Sequence, residues 1–98
     1  MESNWRVTMT GRGRSGNVMY AEGGGRQAQF YWEMGGGDVV FLISGLPPQS
    51  WDSELPWAKG RRREILERVA DTIILQEAPN CRAELGDDDT TIVIRYQE

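Results

Sequence analysis

Residues 57–78, WAKGRRREILERVADTIILQEA, are the only long segment of helical periodicity in the chain, and they limit what it can fold into. Ile65, Leu66, Val69, Ala70, Ile73 and Ile74 fall on one broad apolar stripe. Trp57, Arg61, Glu64, Arg68 and Leu75 fall near the opposite side. The first set reads as a core face, the second as a mixed stripe pointing away from it. Pro56 suits the first helical position, and Pro79-Asn80 ends the segment. One amphipathic helix must bury its stripe against a layer built by the remaining residues.

That layer reads as strands. Asn4–Thr10 alternates Trp5, Val7 and Met9 with polar residues, and Gly11 to Asn17, GRGRSGN, follows as a turn or exposed loop. Val18–Glu22 is a second short strand, punctuated by Gly23 to Gly25. Gln27–Met34 sets Ala28, Phe30, Trp32 and Met34 on one side, before Gly35 to Gly37. Val39–Ser44 is apolar on both faces, as a central strand would be. Short glycine-rich links favour an antiparallel meander. Leu46-Pro47-Pro48 ends it, and Ser50–Leu55 reads as a loop or one short turn. After the helix, Cys81–Leu85 and Thr90–Tyr96 alternate around a turn at Gly86 to Asp89. The expected fold is α+β, a two-layer sandwich. Its antiparallel sheet is a four-stranded meander followed, after the helix, by a C-terminal hairpin, with the one long helix packed on one face.

The length suits a single domain over residues 1–98, with 39% apolar and 27% charged residues. The net charge of −4 divides unevenly: residues 1–63 carry eight basic and six acidic side chains, residues 64–98 three and nine. A general nucleic-acid binder would usually be strongly basic; this chain leaves room for one basic patch. Its single cysteine, Cys81, excludes an intramolecular disulfide and suits a reducing compartment. The start MESNWRVTMT has no secretory pattern, and the apolar run Val39–Ile43 is too short to span a bilayer. A cytoplasmic protein with no membrane association is expected.

The chain has no histidine, the usual general base near neutral pH and the commonest metal ligand. Histidine-based nucleophile systems and common structural zinc sites are therefore excluded within it. A carboxylate mechanism would have to draw on Glu22, Glu33, Asp38 or Asp52, and no pattern marks two of them as partners. The expectation is a non-enzyme with no catalytic residue, cofactor or metal. Gly86-Asp87-Asp88-Asp89 offers three carboxylates but lacks EF-hand spacing, so a solvated hairpin turn is the preferred reading.

Three features bear on recognition. Gly11 to Gly16 carries Arg12 and Arg14 among glycines, an arrangement that can grip an anion but lacks the Walker lysine pattern. Lys59 to Arg63 concentrates positive charge near the helix start. Arg63–Glu67 and Glu64–Arg68 are spaced to pair, while Arg61 and Arg62 have Ile65 and Leu66 at i+4. Trp57, Arg61, Arg68 and Leu75 together form the candidate partner-binding stripe, since tryptophan and arginine are enriched at interface centres. Tyr31 is a second exposed candidate. The double apolar face of Val39–Ser44 raises a further question, because one helix covers only one side of a sheet. Either the last hairpin wraps over the other side or a second chain does.

These features point to a small binding module of the inhibitor, immunity-type or adaptor kind that docks another protein. A second copy of the chain, through the sheet face or an edge, is another candidate partner. The alternatives are an anionic ligand or nucleic acid held by Arg12, Arg14, Arg61 and Arg62, and a carboxylate enzyme.

Overall fold

A computed structural model of the chain describes residues 4–85 and 90–97. Six strands form one sheet: β1 (Trp5–Arg12), β2 (Ser15–Glu22), β3 (Arg26–Met34), β4 (Val39–Ser44), β5 (Cys81–Glu84) and β6 (Thr91–Tyr96). The order across it is β1-β2-β3-β4-β6-β5, with every neighbouring pair antiparallel. Two helices lie between β4 and β5 in sequence, α1 (Pro48–Glu54) and α2 (Arg62–Glu77). The fold is α+β, a four-stranded meander followed by helix and C-terminal hairpin, as the alternation of apolar residues implies.

Side chains opposite one another in an antiparallel sheet share a face, so the register sorts the residues. Val7, Tyr20 and Ala28 lie in one row, and Trp32, Ile43 and Ile92 in another. All six are buried, as are Ile65, Leu66, Val69, Ala70 and Ile73 of α2. The helix stripe therefore meets this inner face. Each valine, leucine or isoleucine among them contributes about 1.5–3 kcal/mol on leaving water. Val40 is an extra residue in β4, where the pairing with β6 shifts between Val39 and Phe41.

Three expectations are corrected, and one open alternative is settled. The helix starts at Arg62, not at Pro56: Pro56–Ala58 is a separate 3-10 turn. Gly60 has φ +74°, a left-handed conformation that interrupts helical backbone, and its N–H bonds the Asp52 carboxylate at 3.2 Å. The segment GRGRSGN holds a turn, but a shorter one than its seven residues suggest. β1 and β2 run through most of it, leaving a two-residue turn, Gly13-Arg14, with Gly13 at φ +66°. Ser50–Leu55 falls mostly within α1, whose Trp51 is buried and donates from its indole to the Ala58 carbonyl at 2.9 Å. The C-terminal hairpin does not fold over the second sheet face. It pairs with β4 and widens the sheet, leaving that face uncovered by either helix. Gly86 to Asp89 lies outside the described residues.

Candidate functional site

The stripe expected to point away from the sheet turns partly back toward it. Glu22 ends β2 opposite Trp5, on the same face as Tyr20 and Val7, so an acid sits at the margin of the apolar layer. Its side chain is only 10% exposed. Arg61, just ahead of α2, reaches it at 2.5 Å and also meets Glu64 at 2.6 Å. Arg68, two turns into the helix, lies 3.5 Å from Glu22 and 3.4 Å from Glu64. The Tyr20 hydroxyl donates to Glu22 Oε2 at 2.5 Å and accepts from Arg68 Nη1 at 2.8 Å. Arg61 is thus partnered at i+3 and across the fold, although Ile65 stands at its i+4 position.

Aromatic rings enclose this network. The Tyr20 ring is stacked between Trp5, at 6.1 Å, and Trp57, at 6.5 Å, while the Arg68 guanidinium lies 5.1 Å from the Trp5 ring centroid. Such rings exclude water from one side of the ion pairs and attract the cation with their faces. The hydrogen bond from Arg61 holds the Glu22 carboxyl below its ordinary range, against the upward push of burial. Arg61 lowers Glu64 in the same way. Burial pushes the Tyr20 hydroxyl above its usual value, and its bond to the Glu22 carboxylate adds to that rise. At neutral pH both glutamates are ionised and Tyr20 is neutral.

Of the four stripe residues, Trp57, Arg61 and Arg68 are half-buried in this network, and Leu75 is 79% exposed. They do not form one continuous outward surface. The sequence signal for Glu22 was its place in phase with Val18 and Tyr20, an acid on the apolar side of a strand. The arginines also divide. Arg12 flanks the β1–β2 turn, whereas Arg61 meets Glu22 at the other end of that hairpin. Seven residue steps of strand put those ends roughly 23 Å apart. Arg14 lies in the turn, and Arg62 opens α2. The four-arginine anion site expected from the sequence is therefore split in two.

Asp38 bonds Arg95 at 3.1 Å, Asp52 accepts from Gly60, and Glu33 lies opposite Ser15 and Leu42 in the sheet. Among the described residues, no three His, Cys, Asp or Glu side chains group as metal ligands would. Cys81 is buried.

The uncovered face is the second candidate. Tyr31 stands there between Asn17 and Ser44, which in turn faces Thr91. One step along, Glu33, Leu42, Val93 and Glu84 make a cross-strand row. Tyr31 is 64% exposed, and Leu42 and Val93 are half-buried. Gln29 donates to Asn17 at 3.1 Å, and Ser44 and Thr91 hydroxyls bond at 3.1 Å, so polar neighbours hold one another in place. Arg6, Arg12, Arg82 and Arg95 share this face. No helix long and apolar enough to cross a membrane occurs among the described residues. No known family model, curated protein or solved structure matches the chain.

Proposed function

We propose that this chain is a small non-catalytic binding module, of the inhibitor, immunity-type or adaptor kind, that docks an acidic protein surface on its uncovered sheet face. The observation that carries this reading is Tyr31, 64% exposed near the middle of a face that neither helix covers. Tyrosine buries a large ring at small conformational cost and keeps a hydroxyl for a directed bond, which suits an interface anchor. Leu42 and Val93 supply apolar contact beside it. Charge gives the partner's chemistry: four arginines share this face with Glu33, Glu84 and, at its margin, Asp38; Arg82 and Arg95 are paired with Glu84 and Asp38, which leaves Arg6 and Arg12 on β1 as the excess positive charge in a chain of net charge −4. An acidic surface is steered toward that face and away from the rest of the molecule.

The test is capture of partners from native extract by the immobilised chain, comparing Tyr31→Ala and Leu42→Asp with Leu75→Asp. A partner retained by the parent and by Leu75→Asp, but lost by both face variants, supports the reading. Retention by all three overturns docking on the open face. Loss only with Leu75→Asp moves the interface to the helix stripe. Capture that disappears after nuclease treatment replaces the protein partner with nucleic acid.

A further inference from the structure

The two edges of the sheet are built differently. At one edge, β5 has four residues; the Cys81 N–H bonds the Ala78 carbonyl at 3.0 Å, and Arg63 donates to the Leu85 carbonyl at 3.2 Å just past the strand. At the other edge, β1 runs eight residues with no proline and pairs with β2 without a register shift. From Trp5 to Thr10 this edge is regular, and only Gly11, at φ +146°, departs from ordinary strand backbone; a long edge of this kind presents a row of unpaired backbone groups, which folded proteins usually blunt.

The register identifies those groups. Gly13-Arg14 is a two-residue turn, so the flanking pair Arg12–Ser15 exchanges hydrogen bonds. Alternation then assigns the backbone groups of Thr10, Thr8 and Arg6 to Asn17, Met19 and Ala21. The N–H and C=O groups of Trp5, Val7, Met9 and Gly11 are left pointing out of the sheet.

From this edge we infer that the chain self-associates, β1 pairing antiparallel with β1 of a second copy about a two-fold axis at Thr8. This register satisfies the free groups in pairs: Val7 with the second copy's Met9, and Trp5 with its Gly11. On the helix-covered face Val7 and Met9 continue the apolar layer across the axis, covering Met9, which is half-buried in one chain. Gly11 brings no side chain opposite Trp5, which keeps its contacts with Tyr20 and Arg68. On the other face Arg6 meets Thr10, Arg12 meets Asn4 and Thr8 meets itself, so no like charges stand directly opposed. Moving the axis to Met9 would set Arg6 against the second copy's Arg12, which is unfavourable. Moving it to Val7 would carry Gly11 and Arg12 past Asn4 and shorten the ladder.

Sedimentation of the full chain over a concentration series is expected to give a monomer–dimer equilibrium. The Thr8 pair is of the kind that does not exchange hydrogen bonds, with Cα atoms about 4.5 Å apart, inside disulfide range. Thr8→Cys should therefore oxidise to a covalent dimer. Thr10→Cys should not, because its two copies lie four residues out of register. Thr8→Arg sets like charges face to face at an exposed position. It should shift the chain to monomer with circular dichroism unchanged, and with an unfolding midpoint equal to the parent's at concentrations where the parent is itself monomeric. A monomer at every concentration, equal cross-linking of the two cysteine variants, or a dimer surviving Thr8→Arg overturns the inference. Thr8 is two strands away from Tyr31, so self-association and partner capture are read separately.

Discussion

Arg61 and Glu22 meet at 2.5 Å across 39 residues of sequence, fastening the entry of α2 to the end of β2. The pair is half screened: the arginine side chain is 31% exposed and the glutamate 10%. Its strength comes from company. Glu22 also accepts from Tyr20, and Arg61 also holds Glu64, so no member has one partner alone. Networks of this kind resist deletion of one member less well than pairwise counting suggests, because the remaining charges lose their compensation.

Glu22→Gln is therefore expected to destabilise the fold by about 1–3 kcal/mol, since two arginines lose the anion they share. Arg61→Ala should cost a similar amount. The double variant should lose less than the two singles combined, with a coupling of about 0.5–3 kcal/mol. Urea unfolding of the four proteins measures it. Strict additivity would mean that the contact is geometric and carries no energy.

The same network sets a pH dependence with two limbs. Glu22 and Glu64 are lowered from 4.5 when folded, so the unfolded chain takes up protons first as pH falls. Their stabilisation is complete above 4.5 and is lost as pH falls through the lower folded values. Tyr20 is raised from 10.0, so the folded chain holds its proton more tightly. That contribution is present below 10.0 and is lost as pH rises toward and through the higher folded value. Unfolding midpoints across pH should thus fall at both ends. Glu22→Gln should flatten the acid limb and Tyr20→Phe the alkaline one; unchanged limbs would exclude these groups as their source.

How much of this was legible depended on the range of the signal. The stripe Ile65 to Ile74 repeats within one element, and so do Trp5–Val7–Met9 and Ala28–Phe30–Trp32. Their burial follows from local periodicity. The start of α2 did not, because it depends on Gly60 taking a left-handed backbone, which Gly allows but does not demand. The β1–β2 turn shortened for a related reason: Gly13 supplies the positive φ of a two-residue hairpin, so Arg12 and Ser15 could join the strands. The stripe misled at Arg61 and Arg68, since helix phase says which side a residue takes but not that a sheet margin carrying Glu22 lies there.

Helix phase itself makes a paired prediction. Ile73 is fully buried against the sheet, and Ile73→Ala should destabilise by about 2–5 kcal/mol through lost burial and the cavity left behind. Leu75, two residues on, is 79% exposed. Leu75→Ala should stay within about 0.5 kcal/mol of the parent. Thermal or chemical unfolding distinguishes the two, and similar losses would mean that α2 is rotated from the orientation described.

Gly16 tests the packing of the first hairpin against β3. A Cβ built there would stand 2.5 Å from Trp32 Nε1 and closer still to the Thr10 carbonyl oxygen, the group that accepts the Trp32 indole N–H at 2.8 Å. The indole thus rests on a stretch of backbone that has no room for a methyl group. Gly16→Ala must push Trp32 or the β1 backbone aside, and overpacking of this kind costs about 1–3 kcal/mol. Displacement of the ring should also change near-ultraviolet circular dichroism, because Trp32 would lose its fixed hydrogen bond and its edge contact with Phe41 at 5.5 Å. Gly23 is the control. A Cβ there meets nothing within 4 Å and its φ is not positive, so Gly23→Ala should leave both spectrum and stability near those of the parent. Equal tolerance at the two sites would show that the indole of Trp32 does not rest on Gly16.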